Sequence, residues 1–222
     1  MKNIEKKSFY EIKFKNLPHI LYWPLEFNTD SIYQITSETF DPNDWHYYQK
    51  KNTQIEMGDI LLDIGTAEGL FPLTVIAKCS KIFLIEPSRL FSKSLAKTFE
   101  PFKSKVEIHN VAVGDTDGII NFSEESLVGR IGEYSEMASA PTNIKRIDSI
   151  IPKNQPITYL KADIEGYEYQ MLKGAELTIK NNKPKIAITT YHKENDAKEI
   201  IELILSYVPQ YNYYVKGIFE DG

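Results

Sequence analysis

Residues 58–77 read Gly-Asp-Ile-Leu-Leu-Asp-Ile-Gly-Thr-Ala-Glu-Gly-Leu-Phe-Pro-Leu-Thr-Val-Ile-Ala, and this stretch restricts the fold more than any other. Ile60, Leu61, Leu62 and Ile64 form the short apolar run of a strand buried on both faces. Asp63, Gly65 and Gly69 then spell D-x-G-x-x-x-G, a tight turn. Leu70, Phe71, Leu73, Ile76 and Ala77 follow at helical spacing. Pro72 fits the first helical turn, where a backbone N–H has no partner anyway. Strand, glycine turn and helix together predict an α/β fold, and the glycines let a ligand come close to the backbone.

The spacing of the glycines bears on the ligand. A dinucleotide site uses G-x-G-x-x-G, with a helix N-terminus facing a pyrophosphate. Here Thr66, Ala67 and Glu68 separate Gly65 from Gly69, so the middle glycine is missing. The carboxylates Asp63 and Glu68 suit a ligand with cationic groups and hydroxyls better than a pyrophosphate. S-adenosylmethionine has a sulfonium, an ammonium and a ribose. A second strand, residues 82–85, ends in Glu86 and Pro87, and a carboxylate there can accept two hydrogen bonds from a ribose diol. The bland alternative is an ordinary α/β turn with incidental acids.

The 222 residues predict one domain with an appendage, and the net charge of −5, without a basic block, argues against a nucleic-acid partner. Cys79 is the single cysteine, so no internal disulfide can form, and it reads as a small core residue. There is no apolar run long enough to span a membrane. The first residues, Met-Lys-Asn-Ile-Glu-Lys-Lys, lack a following apolar segment of the kind a signal peptide carries. The expectation is a cytoplasmic protein of a reducing compartment.

Residues 1–56 are expected to form the appendage and residues 57–222 the ligand-binding domain. Within the appendage, residues 30–37 suit a short helix or strand, and Asp41-Pro-Asn-Asp reads as a helix entry. Tyr22, Trp23, Trp45, His46 and Tyr48 either line an acceptor pocket, where aromatic faces stack on sugar rings, or pack against the sheet. Residues 89–99 carry a helical pattern behind the capping residue Ser88, and residues 106–110 a third strand. The end of that strand, from Asn110 to Ala112, lies where backbone groups can read an adenine, and His109 reads as structural. Asp117 and Gly118 lead into residues 119–122, a hairpin or edge strand added to the parallel sheet. Residues 123–156, with Glu124, Glu125, Gly129, Arg130, Gly132, Glu133 and Pro141, read as an irregular surface loop ending in a short helix near 147–151.

A second informative stretch is residues 157–168, Ile-Thr-Tyr-Leu-Lys-Ala-Asp-Ile-Glu-Gly-Tyr-Glu. It predicts a strand ending at Asp163, then a helix with Met171, Leu172, Ala175 and Leu177 on its apolar face. Ligands of open α/β sheets bind at the carboxyl ends of the strands, which puts Asp163 on the same rim as Asp63 and Glu86. Residues 186–192 form a further strand with His192 at its rim end. A helix over 196–208 and a last strand over 213–219 complete the pattern.

Asp63-Ile-Gly-Thr-Ala-Glu-Gly69, Glu86-Pro87, Ala112-Val-Gly114, Leu160-Lys-Ala-Asp-Ile-Glu-Gly-Tyr-Glu168 and Leu172-Lys-Gly-Ala175 together resemble the FkbM family of S-adenosylmethionine-dependent methyltransferases. The resemblance covers residues 58–192 and is most specific in the Lys-x-Asp-x-Glu-Gly-x-Glu block. Thr66 and Ala67 stand where the family more often has Ala-Asn. The resemblance implies a class I methyltransferase Rossmann-like fold, a mostly parallel sheet flanked by helices, and O-methylation of a hydroxyl on a sugar or natural product. Asp63, Gly65, Glu68, Gly69, Glu86, Pro87 and Ala112 are the expected cofactor contacts.

Methyl transfer from a sulfonium is an in-line displacement in which the protein aligns donor and acceptor. An alcohol is a poor nucleophile at neutral pH, so a base within reach assists it. His192 and Asp163 are the candidates. Asp163, Glu165 and His192 also form a candidate ligand set for Mg²⁺ or Mn²⁺, which would hold an acceptor diol and acidify it. In the alternative reading, Glu165 only serves the helix N-terminus. The expected function is O-methylation of a sugar hydroxyl, on a nucleotide sugar for surface polysaccharide for example. N-methylation of an amine, a non-enzymatic scaffold and an NAD-linked enzyme are the alternatives. The partner is a small-molecule acceptor, and both monomer and homodimer fit the sequence. Asp63→Ala and Glu86→Ala are expected to abolish cofactor binding, and His192→Ala to abolish turnover only, as read by calorimetry and a methyl-transfer assay. Full activity of the last variant would remove His192 from the mechanism.

Overall fold

The computed structural model describes residues 8–123, 130–131, 139–193 and 196–216. The chain begins with strands β1 (Phe9–Lys13) and β2 (Ile20–Pro24), then helix α1 (Ser31–Phe40). Next come β3 (Ile60–Ile64), α2 (Leu70–Val75), β4 (Lys81–Ile85), α3 (Arg89–Thr98) and β5 (Val106–His109). A second group follows: β6 (Ala112–Val113), β7 (Gly118–Ser123), β8 (Arg130–Ile131), β9 (Ser139–Lys145) and α4 (Ile147–Ile150). The last elements are β10 (Tyr159–Ala162), α5 (Glu168–Gly174), α6 (Glu176–Asn182), β11 (Lys185–Ile188) and α7 (Asp196–Tyr207).

The central sheet has five parallel strands in the order β11-β10-β3-β4-β5. Its strands are apolar because both faces are covered. Leu62, Ile64, Phe83, Ile85, Leu160 and Ala162 pack on one side with Met171, Leu172, Ile179 and Ile200 of α5, α6 and α7. Leu61, Ile82, Leu84 and Tyr159 pack on the other side with Leu70, Leu73, Leu95 and Phe99 of α2, α3 and the turn after it. Leu21 of β2 and Ile55 belong to this second cluster, so the N-terminal segment shares a core with the sheet. β1 and β2 pair antiparallel, and β2 lies on α3, where the Tyr22 N–H donates to Thr98 Oγ1 at 3.0 Å. The Ser88 hydroxyl caps α3 by accepting from the Phe91 N–H.

Several local expectations are corrected. Asp41-Pro-Asn-Asp opens no helix: the Asp41 N–H closes α1 on the Ser37 carbonyl, and the Asn43 N–H turns back onto Asp41 Oδ1. The same side-chain chemistry that caps a helix also makes a turn. β7 is no edge strand of the parallel sheet. It pairs antiparallel with β9 in a separate sheet ordered β6-β9-β7-β8, so residues 139–145 are a strand rather than a loop. Glu124, Glu125, Gly129, Gly132 and Glu133 lie outside the described residues.

The helix behind Asp163 breaks after Gly174. Asp148 then accepts from the N–H groups of Leu177 and Thr178, which turns Leu177 out to solvent at 50% exposure. The strand expected to reach His192 stops at Ile188. Residues 213–216 form no strand, and 217–219 lie outside the described residues.

Close packing fixes the residue at position 174. A Cβ at this position would lie 2.0 Å from the Gly114 carbonyl oxygen, which is fixed backbone. Gly174→Ala gains at most ~1 kcal/mol of helix propensity. The clash costs ~1–3 kcal/mol, so it dominates. The urea midpoint of Gly174→Ala is expected below that of the parent at unchanged m-value. An equal or higher midpoint would show that α5 and the Gly114 turn separate at little cost.

Candidate functional site

From β3 the chain proceeds to β4 and β5 on one side of the sheet, while β10 and β11 lie on the other. Loops leaving the carboxyl ends of β3 and β10 therefore diverge and open a crevice, the usual ligand position in such sheets. A cleft of about 250 Å³ lies there. Thr66, Ala67 and Glu68 after β3, Glu86 and Pro87 after β4, and the stretch from Val111 to Val113 line one part. Lys161, Asp163 and Glu165 at the end of β10 line its middle. Gln34, Ile35, Glu38 and Thr39 of α1, with His46, Tyr48 and Tyr191, make the far wall.

The two expected glycines have close-packing roles. Gly65 has φ +69°, and a Cβ there would fall 1.9 Å from the Asp163 carbonyl oxygen. This is what lets the ends of β3 and β10 come together. At Gly69, a Cβ would meet Leu95 Cδ2 at 2.5 Å, so this glycine seats α2 against α3. Gly65 also lines the cleft, whereas Gly69 and Asp63 lie beneath it. Asp63 is register partner to Lys161 across β3 and β10, and the Lys161 ammonium lies 3.3 Å from Asp63 Oδ1 and donates to the Gly65 carbonyl at 2.9 Å. Burial alone would strip the Lys161 proton, but Asp63, Asp163 and Glu68 outweigh it and hold the ammonium above its usual range.

Glu86, Pro87, Glu68 and Ala112 do face the cleft. The Glu86 carboxylate accepts from the N–H groups of Ala67 and Ser88 at 2.8 Å each, so it braces the turn after β3. The Asn110 amide donates to the Glu86 and Pro87 carbonyls, fixing that corner. Burial pushes both Glu68 and Glu86 up to about 7, against the backbone N–H groups that favour their charged forms.

Asp163 is the hub of the other half. Its Oδ2 accepts from the Tyr48 hydroxyl at 2.8 Å, and its Oδ1 from the Thr189 hydroxyl at 3.1 Å. His46 Nε2 lies 3.0 Å from the Tyr191 hydroxyl and 3.9 Å from Asp163, while its Nδ1 is 3.1 Å from Glu38 Oε1. Trp45 covers the His46 ring at a centroid distance of 3.6 Å. Of the five aromatic candidates, His46 and Tyr48 line the cleft and Trp45 backs them. Trp23 is fully buried against Phe91, and Tyr22 sits over Phe9.

His192 lies beside Asp163 but does not suit the role of base. Burial pulls its pKa down, yet Glu165 and Glu168, each 3.2 Å from a ring nitrogen, raise it to about 10. A ring already protonated at neutral pH accepts no further proton. Asp163, Glu165 and His192 each offer a ligand atom, and these lie within 4.8 Å of one another. Sequence reasoning missed Glu38, Tyr191 and Thr189, which come from elements remote in the chain. Lys161 carried a signal that could have found it, since a lysine inside an otherwise apolar strand needs a buried acid.

The raised carboxyls predict a pH effect. An acid whose pKa is higher in the fold stabilises it fully below its ordinary value of 4.5, and that contribution is lost as pH climbs through about 7. Glu68→Gln abolishes the loss. Relative to the parent, its unfolding free energy is expected to improve by ~3 kcal/mol between pH 4.5 and 8. Urea unfolding of both proteins across this range tests it, and parallel curves would refute it.

No described helix is long and apolar enough to cross a membrane. A family model described as the methyltransferase FkbM domain matches residues 63–215. The chain is similar to the crystal structure of a methyltransferase FkbM from Methylobacillus flagellatus KT, with a TM-score of 0.60 and 25% identity. The match covers 74% of this chain and 41% of that one, so the present chain spans less than half of its relative's length. No curated protein matches. A strand-end turn braced by a buried glutamate, the Lys-x-Asp-x-Glu-Gly-x-Glu block at the neighbouring strand end, and a family match over most of the chain lead to one assignment: the chain belongs to the methyltransferase FkbM domain family.

Proposed function

We propose that the protein is an S-adenosylmethionine-dependent O-methyltransferase that modifies a sugar hydroxyl. The observation that carries this reading is the joining, in one cleft, of the Glu86-braced turn after β3 and the Asp163 hub at the end of β10. When bound, S-adenosylmethionine supplies an electrophilic methyl group on a sulfonium. The residues fit such a ligand. Glu68 and Glu86 are buried carboxyls facing the cleft, and a cationic ligand rich in hydroxyls would favour their charged forms. A pyrophosphate would face the same carboxylates unfavourably, which supports the methyltransferase reading over an NAD-linked one.

In this reading Glu86 accepts hydrogen bonds from the ribose diol, and Thr66, Ala67, Pro87 and Ala112 frame the nucleoside. Asp63 and Gly69 act from beneath, through Lys161 and through the seating of α2. The far wall receives the acceptor. His46, Tyr48 and Tyr191 present ring surfaces and hydroxyl or imidazole groups, a combination suited to a sugar. Asp163 acts on the acceptor hydroxyl, either as its proton acceptor or, with Glu165 and His192, as a ligand of Mg²⁺ or Mn²⁺. In the displacement the methyl–sulfur bond breaks as the methyl–oxygen bond forms, and the hydroxyl proton leaves toward Asp163 or water. The crowd of carboxylates also suits an amine acceptor, so N-methylation is the second reading. A cytoplasmic setting, a small-molecule acceptor and no nucleic-acid partner belong to the same proposal.

Calorimetric titration with S-adenosylhomocysteine, with NAD as control, tests the cofactor assignment. Micromolar binding of the first and none of the second is expected, with Glu86→Ala losing it. Binding of NAD alone would refute the reading, and binding of neither would favour a scaffold.

A further inference from the structure

We infer that Asp163, Glu165 and His192 form a divalent-cation site, and that the acceptor is a vicinal diol chelated by that cation. The use of the cation in catalysis rests on the methyltransferase reading, but the site itself does not.

The spacing is that of a coordination sphere. Octahedral bonds of ~2.1 Å place adjacent ligand atoms ~3.0 Å apart and opposite ones ~4.2 Å apart. His192 Nε2 lies 3.2 Å from Glu165 Oε2 and 3.8 Å from Asp163 Oδ1, between those limits. The His192 side chain is 8% exposed, yet neither of its ring nitrogens has an aligned hydrogen-bond partner among the described residues. Such a group is costly unless something absent from the protein itself completes it. An imidazolium merely clamped by carboxylates would point its N–H bonds at them. A cation on Nε2 needs no such alignment.

The support around the three ligands is also present. His192 Nδ1 lies 3.2 Å from Glu168 Oε1, which places a carboxylate behind the ring, on the side away from Asp163 and Glu165. Glu168 is itself held by the Ile164 N–H at 2.9 Å. Asp163 takes one hydrogen bond on each oxygen, from Tyr48 and Thr189, and each carboxylate oxygen keeps a second lone pair for a metal. Two carboxylates and one imidazole, with no thiolate, form an oxygen-rich donor set that Mn²⁺ and Mg²⁺ accept.

Three protein ligands leave positions of an octahedral ion open toward the cleft, which Asp163 and Glu165 both line. Two adjacent hydroxyls fill cis positions without strain, and the ion acidifies the one that receives the methyl group. A lone hydroxyl lacks the second anchor.

The test is loss of the free Mn²⁺ electron paramagnetic resonance signal on titration into the purified full chain after chelator dialysis. About one bound ion per chain is expected. Glu168→Gln is expected to weaken binding ~10–100-fold, and Glu165→Gln and His192→Asn at least as much. Glu56→Gln, on an exposed side chain away from the cleft, leaves it unchanged. Retained S-adenosylhomocysteine binding certifies that a variant is folded. No Mn²⁺ uptake by the parent, or equal uptake by folded Glu165→Gln and His192→Asn, would overturn the site whatever the cofactor result. Mn²⁺ binding without S-adenosylhomocysteine binding would instead overturn the methyltransferase reading alone. With Mn²⁺ bound, a cis-diol sugar is expected to broaden its own proton resonances more than its mono-deoxy analogue. Equal broadening would overturn the diol assignment.

Discussion

A buried ammonium under an acidic cleft is the constraint on which the rest depends. Lys161 and Asp63 are opposite each other in register on the two innermost strands, on the face covered by α2, α3 and the N-terminal hairpin. Taking Lys161 away would leave Asp63 as a buried charge without its partner, which costs ~3–5 kcal/mol. The Lys161 ammonium also holds the Gly65 carbonyl, and Gly65 is the residue whose missing Cβ lets the two strand ends meet. One ion pair thus ties the turn after β3 to the end of β10, where Asp163 begins.

From that junction the cleft acquires two functional halves. On the β4 side, the Glu86 carboxylate accepts from two backbone N–H groups and holds the turn after β3 in shape. On the β10 side, Asp163 gathers Tyr48, Thr189, His46 and His192 around it. Among the described residues lining the cleft, Glu38, Glu68, Glu86, Asp163 and Glu165 face a single ammonium, that of Lys161. Such an imbalance favours a cationic ligand in the cleft.

The N-terminal segment contributes more than cover. Its hairpin enters the same core as the sheet through Leu21, while α1 buries none of its residues and lends Glu38 to the cleft wall. The family match begins at residue 63, so the α1 part of this wall, with His46 and Tyr48, lies outside it. A helix with little buried surface is also the element most easily displaced when a ligand enters.

By itself the sequence determined the parallel α/β architecture, the positions of the turn after β3 and of Glu86, and the family. Those features are local: apolar runs, glycine spacing and a contiguous acidic block are written along the chain. It also located Asp163, Glu165 and His192, because strand ends in such a sheet share one rim. Only the tertiary structure decided how they interact. It put Asp63 and Gly69 beneath the cleft, turned His192 from a base into a ring held by Glu165 and Glu168, and brought Glu38 and His46 across from α1 and its exit turn. It also made residues 139–145 a strand, since β9 exists only through its pairing with β7 and β6. Burial, register and contacts between remote segments set a side chain's charge and role, and none of these has a signature in the local order of residues.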